Sequence, residues 1–564
     1  MRSAQNAKRF LWPCVLVLVT ATLCARAFYG FDRTDESFYL AAAFDRSLRG
    51  LDMSGVYGVF PFSTLLLWPL IAAYRCAEGS MEGGLLFMRL SYCLCSGLTA
   101  WAVFRSLKRH VKEWIAGLCA VACAAYSPLA IGTFSYNTMF ILFTIMTLCA
   151  LSGVPKKSRL LLAGLLAGCA IVSYPSAVVL LPLFLYAAFL QTKETGTGRM
   201  QRTLWAFYGV AAVGMITLLS FAATPMDALL DTAQQVLNDP EHGQTDKMAM
   251  LRAYVYGILT TFGLPAVFLY FCLFCYACVK RLSPGKEPQD EGYRTAVCWG
   301  LLVAVALSIA HWLRSPLPDT VKINLLLYLF APASPVLWVL SDEKPRGPVL
   351  LWVFGLCASL IVHFTTNNGF YLSVWPLMFC SLMSVLYAAR LFSSRGRALK
   401  TCAALALVCF AGLMLSVRIT TVYRDAPLPQ LNTKIETGVA KGLYTTKERA
   451  QAHETLQKSL SGIKPQLRGK KLLVIPLEPW LYPETETLIA GPNAWQVTAD
   501  DTRLEGYYER YPQLLPDWVL IRPGEEAALK DGSALKELLK GYDYSNDPNY
   551  GTLYRRNATA VEGS

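Results

Sequence analysis

The chain has 564 residues, 54% hydrophobic and only 16% charged, with a mean hydropathy of +0.37 and a formal net charge of +13. That composition excludes both an ordinary soluble domain and a disordered polymer. The excess cations do not point to nucleic acid: 34 of the 52 basic residues but only 20 of the 39 acidic ones precede residue 421, among recurring apolar runs of roughly 17 to 25 residues, where they face lipid.

The amino terminus MRSAQNAKRF places Arg2, Lys8 and Arg9 ahead of a first apolar run at about 10–29. With so many apolar runs behind it, this run reads as an uncleaved first helix and not as a signal peptide. Directly after it comes GFDRTDESFY, residues 30–39. Two readings of its acids compete. Thr34 could cap a helix, with Asp35 and Glu36 in a first turn favoured by the macrodipole. Alternatively, a carboxylate here is a catalytic group at the mouth of a membrane-embedded site. These ten residues alone do not separate the two. The loop they open, residues 30–84, holds seven acids against four arginines, and long outer loops that return to the membrane usually carry function. Within it, VFPFSTLLLWPLIAAY (59–74) contains Pro61 and Pro69 and is expected to lie irregularly in the outer interface without crossing.

Further on, short basic connections mark the inner face: RSLKRHVK (105–112), PKKSR (155–159), KETGTGRMQR (193–202), KRLSPGKEPQDEGYR (280–294), DEKPRG (342–347) and ARLFSSRGRALK (389–400). The connections between them are poor in cations. If 59–74 does not cross, spans begin near residues 10, 85, 113, 135, 159, 176, 203, 251, 295, 320, 348, 370 and 400. The expectation is therefore a polytopic α-helical membrane protein of about thirteen transmembrane helices in residues 1–420. Its amino terminus is cytoplasmic, it lies in the plasma membrane, and a small extracytoplasmic α/β domain occupies residues 421–564.

All 17 cysteines precede residue 421. Cys272, Cys275 and Cys278 have a metal-like spacing, but three-residue steps along one helix cannot close a tetrahedral zinc site, so they read as small buried apolar residues. Gly164 and Gly168 form a GxxxG, explained most simply by close helix packing. In the tail, KLLVIPL (471–477), DWVLIRP (517–523) and GTLYRR (551–556) are strand-like, while KERAQAHETLQKSL and EEAALKDGSALKELLK look helical. Trp480, Tyr482, Trp495, Tyr507, Tyr508 and Tyr511 can stack on sugars, although most of them suit the core of a small domain. Asn557-Ala-Thr is a glycosylation acceptor sequon. There is no Walker A loop, GxGxxG, HExxH or nucleophile elbow, which argues against nucleotide-driven chemistry on the inner face.

An outer Asp-Glu pair directly after span one, an interfacial segment, thirteen spans and an outer C-terminal domain together resemble the GT-C glycosyltransferases, in particular the protein O-mannosyltransferase and lipid A aminoarabinose transferase group. The pieces that carry the resemblance are TDESFYLAAAF (34–44), MRLSYCLCSGLTAWAVFRSLKRH (88–110), AAYSPLAIGTFSYNTMFILF (124–143) and LLLAGLLAGCAIVSYPSAVVLLP (160–182). The resemblance implies inverting transfer of a hexosyl or pentosyl group from a polyprenyl-phosphate donor to an outer-face acceptor, whether glycan, lipid or protein. It places Asp35 in the catalytic position with Glu36 beside it. Cations must meet the lipid phosphate. The candidates are Arg252, His311, Arg314 and Lys322, with Lys247 and Arg33 nearby and Tyr136 and Asn137 lining the site. The family carries a second acid where FSYNTMF has Asn137. A neutral amide can neither act as a base nor balance a metal's charge, so no cofactor is implied and a divalent metal fits this chain less well than its relatives.

Two rival readings stand beside this one. A secondary transporter or flippase of lipid-linked or small solutes would show repeated broken helices and midplane charges, and neither is evident here. A non-catalytic member of the same fold would be consistent with Asn137. The orientation is directly testable. Cysteines introduced at Lys108 or Arg109 should resist an impermeant thiol reagent applied from outside, and labelling there would overturn the thirteen-span arrangement.

Overall fold

The computed structural model describes residues 2–57, 61–191, 198–237, 246–257, 259–260, 299–300, scattered positions between 303 and 338, 346–366, 369–393, 397–476, 478–495, 502–525 and 529–557. Its helices are α1 (Arg2–Arg26), α2 (Asp35–Arg49), α3 (Thr64–Glu78), α4 (Gly84–Leu107), α5 (Glu113–Ala125), α6 (Tyr136–Leu151), α7 (Lys157–Ser173), α8 (Leu181–Phe189), α9 (Arg199–Ala222), α10 (Met226–Leu237), α11 (Arg346–Thr366), α12 (Met378–Ser393) and α13 (Arg397–Thr420); α4, α5, α6, α7, α9, α11 and α13 begin within a few residues of an expected span, and the expected starts near 295 and 320 lie outside the described residues. Among the described residues, Gly84–Leu107, Arg199–Ala222 and Val349–Thr366 are long and apolar enough to cross a membrane, and six shorter apolar helices accompany them. Cys272, Cys275, Cys278, His311 and Lys322 lie outside the described residues.

The segment expected to be irregular is a regular helix. α3 runs through Pro69, and at 15 residues and about 1.5 Å per residue it is short for a span of about 30 Å. α3 packs beside α2. α6 starts on a reciprocal cap: Ser135 Oγ accepts from the Thr138 N–H, and Thr138 Oγ1 accepts from the Ser135 N–H at 2.7 Å. This cap fixes the point at which Tyr136 and Asn137 enter the bundle. α7 and α9 pack most closely because of glycine. A Cβ on Gly164 would lie 1.9 Å from the Ala206 carbonyl oxygen, and one on Gly209 would lie 2.3 Å from that of Leu161.

The carboxy-terminal region builds one mixed sheet. Strands β1 (Lys471–Ile475), β2 (Leu488–Ile489), β3 (Trp518–Ile521), β4 (Tyr542–Asp547) and β5 (Gly551–Arg556) lie in the order β2-β1-β3-β5-β4. β1 is parallel to both of its neighbours, and the β3–β5 and β5–β4 pairs are antiparallel. β1 and β3 are buried along nearly their whole length, as parallel strands covered on both faces should be. The helix α14 (Lys447–Ser461) is capped by Thr446 and turns His453, Leu456 and Leu460 inward. Of the second helical run in the tail, the described residues form only the short helix Ala534–Leu539. Trp480, Tyr482, Tyr507 and Tyr511 are core residues, while Trp495 is only half-buried.

This sheet does not hang free. Leu40, Phe44, Leu67 and Ile71 of the 30–84 segment share one apolar core with Ile435, Leu472, Val474 and Trp480. Backbone bonds sew the seam: Gly30 N–H to Tyr444 O at 2.8 Å, Tyr444 N–H to Phe28 O at 2.7 Å, Gly83 N–H to Gly438 O at 2.9 Å and Tyr57 N–H to Pro492 O at 2.7 Å. Asp45 Oδ1 accepts from the Ile489 N–H at 2.9 Å, and Asp425 Oδ2 accepts from the Phe31 N–H at 2.6 Å. The loop of residues 30–84 is thereby built into the carboxy-terminal region that holds this sheet, the lid domain, and is not a loose connection.

The α7–α9 contact leaves no room for a side chain. Gly164→Val should lower the thermal midpoint by several degrees, in line with about 1–3 kcal/mol for overpacking a close contact, while Gly412→Ala, where nothing lies within 4 Å, should not. Thermal unfolding of the detergent-solubilised chain measures both.

Candidate active site

The first turn of α2 separates the acids of GFDRTDESFY by role. Thr34 occupies the N-cap position, but its side chain caps nothing. Asp32 does that work. It is fully buried, its Oδ1 accepts from the Thr34 N–H at 2.9 Å and the Thr34 hydroxyl at 2.7 Å, and its Oδ2 accepts from the Glu36 N–H at 2.9 Å. The expected Thr34 cap is therefore corrected to Asp32, one of whose oxygens reaches four residues on. Asp35 is left free of capping duty.

Glu36 points the other way. Its carboxylate is 2% exposed and pairs with Arg89 of α4, which donates from Nε at 2.8 Å and again from Nη2. Glu36 Oε1 also accepts from the Gly132 N–H at 3.0 Å. Arg89 spends Nη1 on the carbonyls of Ala27 at 3.0 Å and Gly30 at 2.8 Å. The pair thus ties the end of α1, the start of α2, α4 and the loop before α6 into one knot. Both charges of the pair are answered, so Glu36 is held as an anchor between these elements.

Asp35 lies about 100° further round the helix and meets a different set. Tyr423 donates its hydroxyl to Asp35 Oδ2, and Arg424 Nη2 sits 3.2 Å from the same oxygen. The Asp35 side chain is 15% exposed and that of Arg424 is 43% exposed. Burial raises the Asp35 carboxyl from its usual 3.8 to about 6; the Arg424 charge opposes the shift, Asp32 adds to it, the Tyr423 hydrogen bond opposes it and Glu36 adds to it. Arg424 also lies 5.4 Å over the ring of Trp495 from the lid domain, which in turn meets Phe38 edge-on at 5.7 Å. Its backbone is left-handed, with φ at 53°, a strained setting for a residue with a Cβ. Tyr39, one turn along α2, is buried with its ring 5.8 Å from Tyr136, and Tyr136 is close enough to Asp35 to feel its charge.

The remaining expected residues are more dispersed. Asn137 is buried, and among the described residues its Oδ1 has no hydrogen-bond partner. Arg33 is taken by Glu478 of the lid domain and stacks on Trp480 at 5.9 Å. Lys247 donates to the Phe364 carbonyl at 3.2 Å, and Arg252 and Arg314 are exposed, with no contact to Asp35 among those described. Sequence reasoning missed Arg89, Tyr423, Arg424 and Arg418. Arg89 carried a legible signal, since an ionisable residue inside an apolar span is a functional candidate by default. Tyr423 and Arg424 carried none, because they approach Asp35 only through folding. The donor set is unsuited to a divalent cation. Glu36 is spent on Arg89, Asp32 on the helix start, and Asn137 is neutral; among the described residues no three of His, Cys, Asp and Glu gather.

Residues 81–222 match the family model described as dolichyl-phosphate-mannose-protein mannosyltransferase. The chain is similar to that family. The matched stretch holds Arg89, the loop at Gly132, the start of α6 and the α7–α9 pair. Among solved structures, the chain is similar to the archaeal oligosaccharyltransferase AglB from Archaeoglobus fulgidus in complex with an inhibitory peptide and a dolichol-phosphate: TM-score 0.48, 11% identity, 98% of this chain and 75% of that one. It is also similar to ArnT from Cupriavidus metallidurans bound to undecaprenyl phosphate: TM-score 0.43, 12% identity, 98% of this chain and 99% of that one. No curated protein matches the sequence.

The anchoring role of Glu36 sets a sharp expectation. Glu36→Gln and Arg89→Met should each destabilise the chain by about 3–5 kcal/mol, because each leaves a buried partner unanswered. The double variant should recover part of that loss, since no charge then remains stranded. Thermal midpoints of the three variants provide the check.

Proposed function

We propose that the chain is a membrane glycosyltransferase that moves a sugar from a polyprenyl-phosphate donor to an acceptor hydroxyl of a glycan, lipid or protein at the outer face, with inversion. The observation that carries this reading is the state of Asp35: a carboxylate in the first turn of a helix that another acid caps, largely buried, with its pKa raised to about 6. A structural carboxylate gains nothing from such a shift. A general base whose pKa lies near the working pH does.

In the step proposed, the acceptor oxygen attacks the anomeric carbon from the face opposite the phosphate. As that bond forms, the bond from the anomeric carbon to the phosphate oxygen breaks, and the acceptor proton passes to Asp35 Oδ. The polyprenyl phosphate leaves as the anion, needing little acid help. Tyr423 and Arg424 hold the carboxylate in place before the acceptor arrives, and Trp495 with Phe38 offers an aromatic wall on the lid side against which a sugar can lie. Asn137 Oδ1, an acceptor without a partner among the described residues, can receive a substrate hydroxyl.

The sign of the pH dependence follows from the raised value. The proton-accepting form exists above about 6, so transfer should fall as pH drops through that value. Stability should run the other way: the ionised, buried Asp35 is a penalty present above about 6 and absent below the ordinary 3.8. Asp35→Asn removes that penalty, so it should leave the thermal midpoint at pH 7.5 unchanged or raised. Its transfer rate, followed with a radiolabelled polyprenyl-phosphate sugar, should fall at least about a hundredfold. Near wild-type transfer by a folded Asp35→Asn would defeat the reading.

A further inference from the structure

A small cavity of about 30 Å³ is lined by Tyr423 and by three arginines, Arg26, Arg89 and Arg418, with Glu36 its one acidic lining residue. Two of the three arginines are fully occupied. Arg26 donates to Ile419 O at 2.7 Å, Tyr29 O at 2.7 Å and Thr421 O at 2.8 Å. Arg89 is spent on Glu36 and on backbone carbonyls. Arg418, in the last turn of α13, is different. It is 8% exposed, lies 5.8 Å over the Tyr92 ring and makes one hydrogen bond, from Nη1 to the Ala130 carbonyl at 2.9 Å. Among the described residues its Nε and Nη2 have no partner, and no acid pairs with it. The loop that supplies the Ala130 carbonyl is itself strained, with Leu129 and Ala130 at φ 56° and 59°. A buried cation with free donors beside two more cations calls for an anion. The space suits about two waters, the size of a phosphoryl group's outer oxygens and far too small for a sugar ring.

We propose that this cavity binds a phosphate-type oxyanion through the free Nε and Nη2 of Arg418, with the Arg26 and Arg89 charges reinforcing it. The reading of the oxyanion as the donor's headgroup rests on the function proposed above; the anion site itself does not. Tyr423 lines the cavity and gives its hydroxyl to Asp35, so the anion site and the carboxylate share one neighbouring side chain. This site also moves the phosphate contact away from the exposed helical residues Arg252 and Arg314 to the buried end of α13.

The test measures binding, not turnover, on the full chain in nanodiscs, using polyprenyl phosphate, phosphate-free polyprenol and inorganic phosphate as probes. Polyprenyl phosphate should raise the thermal midpoint of the wild type with the logarithm of its concentration above the dissociation constant, and polyprenol should not. Arg418→Lys should weaken binding several-fold and Arg418→Met at least about tenfold, while Arg252→Ala and Arg314→Ala should leave it unchanged. Because Arg418 is buried, Ala27→Val serves as a second variant. It adds bulk to the cavity wall without removing charge, and it should also lower affinity. Stabilisation by inorganic phosphate as well would identify a general oxyanion site. Stabilisation by the lipid alone would identify a headgroup site, and either result supports the proposal. A wild type that neither phosphate stabilises overturns it, as does a folded Arg418→Met or Ala27→Val with unchanged affinity. Asp35→Asn should bind polyprenyl phosphate normally. Loss of transfer without loss of binding there, beside loss of binding in Arg418→Met, separates a failure of the base from a failure of the phosphate site.

Discussion

The site depends on one buried ion pair. Glu36 and Arg89 meet where water cannot screen them, and Arg89 uses its remaining nitrogen to hold the carbonyls at the end of α1. Replacing such a pair with apolar groups is often neutral, whereas stranding one member is costly. Its value here is geometric. It fixes the rotation of α2 about its own axis, because Glu36 must face α4. Once that is set, its neighbour Asp35 must face about 100° away, toward the lid domain. A single turn of helix thus turns one acid to Arg89 and the other to Tyr423 and Arg424.

A second constraint comes from the lid. The 30–84 segment and the carboxy-terminal sheet share an apolar core, so the segment that carries Asp35 cannot fold apart from residues nearly 400 positions away. Tyr423 and Arg424, just past the end of α13, reach Asp35 only because that seam closes. Arg424 shows the tension of the arrangement. Its backbone is left-handed and its guanidinium is shared between a carboxylate and an indole face. Residues held this way can exchange partners when a ligand supplies a better one, which suits a group that must release a base to its substrate.

Burial accounts for both the chemistry and its cost. Withdrawing Asp35 from water raises its pKa toward the range in which it can trade protons, and the same withdrawal makes its charged form a local liability to folding. The strained loop at Leu129 and Ala130 is a comparable case: its conformation brings the Ala130 carbonyl to Arg418 and the Gly132 amide to Glu36. Strain and unanswered charge gather around the same few side chains while the rest of the bundle is conventionally packed. The α7–α9 contact at Gly164 is an example of that ordinary packing.

Much was legible in the linear sequence. Apolar runs longer than any soluble core helix announced a helical membrane protein, because backbone polar groups in lipid must be satisfied within each segment. The strand-like runs at 471–477, 517–523 and 551–556 announced a sheet, and GxxxG announced a close helix pair. The acids directly after the first span stood out as a cluster at its outer end. Only the folded chain decided which acid does what. GFDRTDESFY offers Asp32, Asp35 and Glu36 as near equals, and the text between them does not say that Asp32 caps, Glu36 pairs with Arg89 and Asp35 meets Tyr423 and Arg424. Those roles are set by partners at positions 89, 132, 423 and 424, and proximity between distant residues is a property of packing that no local pattern encodes. The same holds for Arg418. In the sequence it is one cation at the end of an apolar run; in the structure it is a buried charge with two free donors, because the residues that could have answered it are spent on one another.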